Sequence, residues 1–423
     1  MLSSGGLESV SLLVSSAETV TMSGGATTGA TADALAGSFF GFSLFPWLLM
    51  LYWLGHSKVG APKGVVFGLQ FLLVFVFGSI PAAIGAGSVY GDSLADVDWL
   101  HGAAESLLAV TNCVVVFGFR DALRGEAASE SKKNNLAKIA VSAGVAFGVV
   151  TTLAHLGLGL TQEHTPWLGA DVRLDSEPAN ALSLATWSIH TSSLVEWLVA
   201  MGLCWKLGEE QSPQYKGLTW GMLPLHSSGI IACSYHLLYN ASAVTWLVTL
   251  QAMMTCLGNS TMAFAAYRLA TAKGWTFTED ARTDCAAFLQ NFSSKGSSSS
   301  SSKEPLAAFF PTTTAIKEDQ PVLAFEFNED LKVLPGWEDL GEEWAADDDR
   351  AFFAKLVFVS LASAAAVKYV PPLLPADLSD TFFASNLALN GAAISLVLLP
   401  TCLNILKWQR RSSQDTTKTT TLL

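Results

Sequence analysis

The sequence predicts an all-α, polytopic membrane protein with about nine transmembrane helices. Three observations carry this expectation. Half of the 423 residues are hydrophobic and 14% are charged, where a soluble domain carries roughly a quarter charged residues. Mean hydropathy is +0.38. The apolar residues fall in blocks of about 17 to 25, the length a helix needs to cross ~30 Å of hydrocarbon. A β-barrel would show short alternating segments instead.

The chain opens with residues 1–37, rich in Ser, Thr, Gly and Ala. Residues 1–36 contain no Lys or Arg. They lack the basic n-region of a standard signal peptide and the arginines of a transit peptide. Apolar spans are expected at 38–54, 64–86, 100–119, 137–158, 183–207, 218–239, 244–269, 352–370 and 382–406. Residues 271–350 differ. They hold the tract "SSKGSSSSSSK", and residues 304–349 contain 13 of the 36 acidic residues. A serine tract of this kind buries too little apolar surface to fold, so the segment reads as a flexible acidic linker, with Phe309, Phe325 and Trp337 as its aromatic exceptions. The two last spans form a C-terminal unit, 351–411. No basic patch marks nucleic acid as a partner, and the net charge is −12. Of six cysteines, five lie in apolar spans and Cys285 in the linker; with no CxxC spacing they read as small core residues.

Basic residues in short loops set orientation. If the N-terminal face is X and the other Y, the Y loops hold Lys58, Lys63, Arg120, Arg124, Lys132, Lys133, Lys216, Arg268, Lys273, Lys407, Arg410 and Arg411. The X loops are acidic, from Asp92, Asp96 and Asp98 to Asp377 and Asp380, with Arg173 as their one basic residue. Lys368 falls near an X-side span end, where it is expected to snorkel outward. The N-terminus then lies on the lumen-like side, and the linker and C-terminus on the cytosol- or stroma-like side.

Three short matches recur in the same order: "SLFPW" (43–47) with "SLATW" (183–187), "KGVVFG" (63–68) with "KGLTWG" (216–221), and "VDWL" (97–100) with "VTWL" (244–247). Asn112 follows Trp99 by the same 13 residues as Asn259 follows Trp246. These matches predict two three-helix repeats, 38–121 and 183–270. The span 137–158 between them brings the chain back across, so the repeats are parallel, a 3+1+3 plan. Gly64/Gly68 and Gly217/Gly221 give each second span a small face on which another helix can pack closely.

The candidate site residues are the polar groups inside these spans: His101, Glu105, Asn112, His190, Glu196, His226, His236, Gln251 and Asn259. Such groups are costly in hydrocarbon and face the bundle interior or a wet cavity. His101 and Glu105 are one turn apart on one helix face, with Asn112 further along it. They are read as a proton-responsive pair, as metal ligands, or as a self-satisfied pair near the interface. The two Asn residues are simplest as interhelical glue. His101, His155, His190 and His236 all lie in the X-side half. Imidazoles and carboxylates suit a transition metal, and histidines also ligate haem or chlorophyll. No HxxxH, HExxH or CxxCH spacing selects among these, so the cofactor stays unknown. No nucleophile elbow, phosphate loop or dinucleotide fingerprint is present, and no enzyme activity is expected.

The stretches "LATWSIHTSSLVEWL", "GMLPLHSSGIIACSYHLLYN" and "VTWLVTLQAMMTCLGNSTMAFAAYR" resemble the hypothetical chloroplast reading frame 49-like family (domain of unknown function 2499) over residues 182–270. "SLFPWLLMLYWL" and "VDWLHGAAESLLAVTN" resemble a second family, domain of unknown function 3593, over residues 40–121. The resemblance implies a photosynthetic organism and a plastid membrane, the thylakoid. Neither family carries an activity whose residues transfer. Three function classes stay open: an assembly or stabilising factor for a photosynthetic membrane complex, a small-solute carrier of parallel three-helix repeats, and a haem- or chlorophyll-binding subunit. The lipid bilayer is the partner common to all three.

Overall fold

A computed structural model describes residues 27–125, 144, 177, 178, 180–284, 339–371 and 381–421. Among these, every regular element is helical. The long helices are α1 (Thr27–Gly55), α2 (Lys63–Gly85), α3 (Asp98–Leu123), α4 (Leu184–Glu210), α5 (Tyr215–Leu237) and α6 (Trp246–Ala272). A short α7 (Asp339–Glu343) precedes α8 (Asp349–Tyr369) and α9 (Asn386–Thr421). Eight of the nine expected spans fall on these long helices, while 137–158 and His155 lie outside the described residues. Two boundaries move. α1 begins at Thr27, ahead of the expected 38, and α9 runs on to Thr421.

Five helical stretches are long and apolar enough to cross a membrane: Ala34–Gly55, Lys63–Tyr90, Asp98–Leu123, Asp349–Tyr369 and Asn386–Ser413. They expose large apolar side chains such as Phe42, Phe45, Phe77, Phe358 and Leu399, the surface that acyl chains cover. Among the described residues, five of the eight expected spans meet this composition. The other three are α4, α5 and α6, which carry Thr186, His190, Glu196, His226, Ser228 and Asn259 buried inside the bundle. Those groups lower the hydropathy of α4 to α6, and several are bonded to neighbouring helices, such as Thr186 to the Asp98 carbonyl and Asn259 to the Ser43 carbonyl.

Packing is pairwise. α1 lies along α6 and α3 along α4, while α2 packs on α3 and α5 on α6. α7 and α8 cover α4, and α9 covers α5. Two crossings depend on glycine. A methyl group at Gly68 would stand 2.7 Å from Val115 Cγ2, and one at Gly221 would stand 3.1 Å from the Met262 backbone nitrogen. A methyl group at Gly68 would force a shift and one at Gly221 would be tight, so with glycine the backbones gain the close dispersion contact that holds helices together in lipid.

Asn112 donates to the Ser193 carbonyl at 3.2 Å and lies 3.3 Å from its hydroxyl. Asn259 donates to the Ser43 carbonyl at 3.0 Å. Each acceptor opens a Ser-Leu-x-x-Trp segment, "SLVEW" at 193–197 and "SLFPW" at 43–47. The sequence match sets "SLFPW" beside a different segment, "SLATW" at 183–187. Ser183 instead caps α4 at the X end, accepting from Thr186 N–H, while its own N–H donates to Asp98 at 2.8 Å.

The helix ends sort into two groups. At the X end Asp96 accepts from Asn240 at 2.6 Å, and Asn180 donates to the Tyr239 carbonyl at 2.8 Å. At the Y end Lys58 pairs with Asp280 at 2.7 Å, and Lys407 with Asp339 at 2.8 Å. The Lys58 ammonium, with the Thr276 backbone N–H, holds the Asp280 carboxyl below its usual range. Lys368 corrects a sequence expectation. It does not snorkel outward: its ammonium is fully buried, 3.2 Å from Glu177 and 3.0 Å from the Leu182 carbonyl. The nearby carboxylate supplies inside the bundle what water would supply outside it.

The acidic segment 271–350 is anchored at both described ends. After α6 the chain folds back on α1. Trp275 is buried against Tyr52 and Trp53, Lys58 donates to the Gly274 carbonyl at 3.0 Å, and Tyr52 donates to Asp284 at 2.7 Å. On the far side, α7 is held by Lys407 and Arg411 through Asp339 and Glu342. Arg120, fully buried, pairs with Asp349, reaches the Asp347 carbonyl and sits 4.6 Å from the Phe352 ring centre. Asp348 caps α8 by accepting from the Arg350 and Ala351 N–H groups. The expected linker is therefore docked over 274–284 and 339–349. Its middle, 285–338, lies outside the described residues.

Candidate functional site

Helices α3, α4 and α5 meet near the X end of the bundle and bring three histidines together. His101 lies in the first turn of α3, His190 in the second turn of α4, and His236 at the end of α5. All three are buried. His101 Nε2 and His190 Nε2 stand 2.9 Å apart. The ring centres are 5.0 Å apart for His101–His190, 4.9 Å for His101–His236 and 5.0 Å for His190–His236. Each ring offers one nitrogen to a common centre, and the three nitrogens lie within 4.8 Å of one another.

The surroundings fix this triangle. Asp98, one turn before His101, ties α3 to the start of α4 through Ser183. Trp187 packs edge-on against the His190 ring. α5 ends immediately after His236, and Tyr239 and Asn240 both adopt left-handed backbone angles, φ 51° and 54°. For residues other than glycine that conformation carries strain. It turns the chain sharply and sends the Asn240 side chain to Asp96.

The other expected site residues stand apart from the triangle. Glu105 is half-buried one turn further along α3, and it does not complete the set that His101 joins. The one-turn spacing set His101 and Glu105 on one face, but the partners of His101 come from two other helices. Glu196 is buried and accepts from the Cys113 thiol at 3.2 Å, with its second oxygen unpaired. Cys113 was read as a plain core residue, and nothing in its sequence neighbourhood pointed to this contact. His226 is buried with Nδ1 unpaired. It sits ten residues before His236, about 15 Å along the axis of α5. The Gln251 carbonyl accepts from Ser228 at 3.1 Å, and the Ser228 and Thr255 hydroxyls are 2.7 Å apart. Asn112 and Asn259 bridge helices as described above.

Such a cluster supplies neutral imidazole nitrogens in a water-poor setting, a donor set suited to a transition-metal ion. The tilted rings are in mutual contact, which leaves no slot for a planar macrocycle between them. Together, the apolar helices and the buried polar centre define a helical membrane protein of the multi-pass kind.

The chain belongs to the Ycf49-like family. A family model described as a protein of unknown function (DUF2499) matches residues 181–268, and a second of the same description (DUF3593) matches residues 36–124. A Ycf49-like protein of Synechocystis sp. is 44% identical over 89 residues, 21% of this chain and 86% of that protein. The uncharacterised protein ycf49 of Cyanophora paradoxa is 33% identical over 89 residues, 20% of this chain and 85% of that protein. No solved structure matches the chain. The DUF2499 match contains His190 and His236, whereas His101 lies in the DUF3593 match. The triangle therefore joins the two matched regions.

Proposed function

We propose that this chain is a non-enzymatic, nine-span protein of the thylakoid membrane that assembles or stabilises a photosynthetic complex. The observation that carries the reading is the double anchoring at the Y end. The segments on either side of residues 285–338 are both docked at this end, 274–284 by Tyr52 and Lys58 and 339–349 by Arg120, Lys407 and Arg411. Recruitment by an anchored arm needs no catalytic group. Within the bundle, Asn112, Asn259 and Ser228 each donate to a carbonyl of a neighbouring helix, which favours a scaffold over a solute path.

The 3+1+3 plan belongs to the same proposal. Its support is the matched packing of the two units. In each, the second helix crosses the third at a glycine, Gly68 on Val115 and Gly221 on Met262. In each, the third helix sends an Asn to the Ser-Leu-x-x-Trp serine of the other unit's first helix. With "SLVEW" as partner of "SLFPW", the offsets between units become 150, 153 and 147, closer together than with "SLATW". Placing Y at the stroma follows from the basic loops.

The test uses thylakoids carrying a tagged chain, intact or lacking residues 286–337, which leaves both anchors in place. The intact chain should be cut within 286–337 by protease added to the stromal face, and should co-purify with components of a photosynthetic complex. The shortened chain should accumulate equally and lose those components. Full protection from protease would overturn the orientation. Equal co-purification by both chains would overturn the arm.

A further inference from the structure

We propose that His101, His190 and His236 form a binding site for one divalent first-row transition-metal ion, of the zinc, cobalt or copper kind. The argument starts from hydrogen bonding. A neutral imidazole has one donor and one acceptor nitrogen. The 2.9 Å contact between His101 and His190 joins one pair of nitrogens. His236 Nδ1 remains buried with no partner. An unpaired buried polar group costs about 1–3 kcal/mol, so three converging rings are a poor solution for a helix interface unless something draws on their lone pairs together.

A metal ion does so. Imidazole nitrogens bind zinc at about 2.0–2.1 Å, which sets ligand nitrogens roughly 3.4 Å apart around a tetrahedral ion. One nitrogen pair here is at 2.9 Å and all three nitrogens lie within 4.8 Å, so small ring rotations reach that spacing. Hard cations such as calcium and magnesium take oxygen ligands, whereas imidazole suits zinc, copper, iron and nickel. Three protein ligands leave a fourth position for water or another donor.

The second layer fits as well. Ligating histidines generally donate their other ring N–H to a fixed acceptor. Asn240 lies in the turn that follows His236, and its Oδ1 is likewise buried without a hydrogen-bond partner. Ligation through His236 Nε2 would leave the ring proton on Nδ1, and a small shift of the Asn240 side chain would then bring these two unpaired atoms together. Asp96 holds the Asn240 amide group from the other side.

The experiment uses the full chain in detergent, with any polyhistidine tag removed, stripped with chelator and then titrated with zinc(II). Cobalt(II) serves as the optical probe. The expected result is one zinc per chain, a tetrahedral cobalt spectrum, and a rise in melting temperature with metal, because a ligand of the folded state stabilises it. His101→Asn, His190→Asn and His236→Asn should each weaken binding by more than about a hundredfold, and Asn240→Gly by about 10–100-fold. His56→Asn, at the Y end, should bind as the parent does. Should the histidine variants fail to fold, the parent protein alone decides. A monodisperse parent that takes up no stoichiometric zinc and shows no rise in melting temperature overturns the site. Folded histidine variants that bind zinc as tightly as the parent overturn it equally.

Discussion

Lys368→Met should destabilise the protein by about 3–5 kcal/mol, the cost of leaving one partner of a buried ion pair unpaired. The Lys368 ammonium is fully buried and Glu177 nearly so, with nitrogen and oxygen 3.2 Å apart. The same ammonium also donates to the Leu182 carbonyl just ahead of α4. The pair thus fastens the end of α8 to the segment that leads into α4 and His190. Methionine keeps the volume and removes the charge, so Glu177 loses this buried counter-ion. The double variant Lys368→Met/Glu177→Gln should recover most of the loss, because both charges are then gone. Unfolding of the detergent-solubilised chains, followed by helical signal, measures both effects. A single variant within about 0.5 kcal/mol of the parent would show that the pair is exposed or unformed.

Gly118→Val should prevent α2 and α3 from packing. A Cβ at Gly118 would lie 2.7 Å from the Gly64 carbonyl carbon and nearer still to the Val65 nitrogen. Both are backbone atoms that cannot rotate away, so the helices must separate. Overpacking of this kind costs about 1–3 kcal/mol or more, and here it acts on the helix that carries His101, Asn112 and Arg120. The matched crossing in the second unit supplies the control. A methyl group at Gly217 would meet Ala265 Cβ at 4.0 Å, an ordinary contact, so Gly217→Ala should be tolerated. Accumulation in the membrane and melting temperature read both variants. Parent-like behaviour of Gly118→Val would refute the close crossing.

Much of this fold is written in the apolar blocks. α1, α2, α3, α8 and α9 announce themselves because their outward faces must satisfy lipid. α4 to α6 are legible too, through the same spacing of charged loops, although their buried polar groups lower their hydropathy. The histidine triangle is not legible from spacing. His101, His190 and His236 come from three helices, and no local motif links them; only their shared place in the X-side half hinted at a meeting. His101 and Glu105 looked like a pair because a helix turn aligns them, yet the rings that meet His101 come from α4 and α5. "SLVEW" shares with "SLFPW" the same three residues that "SLATW" does, and its role emerges only when α3 packs on α4 and Asn112 meets Ser193. Lys368 reads as a snorkelling residue because its partner Glu177 is 191 residues away in sequence.

The arrangement of two matched units, each with its third helix against the other's first, is tested most directly by cysteine cross-linking in the native membrane. The six native cysteines are replaced, and two pairs are introduced separately: Ser43→Cys with Asn259→Cys, and Asn112→Cys with Ser193→Cys. Each pair is in hydrogen-bond contact in the parent, at 3.0 Å and 3.2 Å. A third pair, Asn112→Cys with Ser183→Cys, uses the same two helices, but Ser183 lies ten residues from Ser193, about 15 Å along α4. The account predicts rapid intramolecular disulfides in the first two pairs and none in the third. Absence of both disulfides, or a disulfide in the third pair, would contradict it.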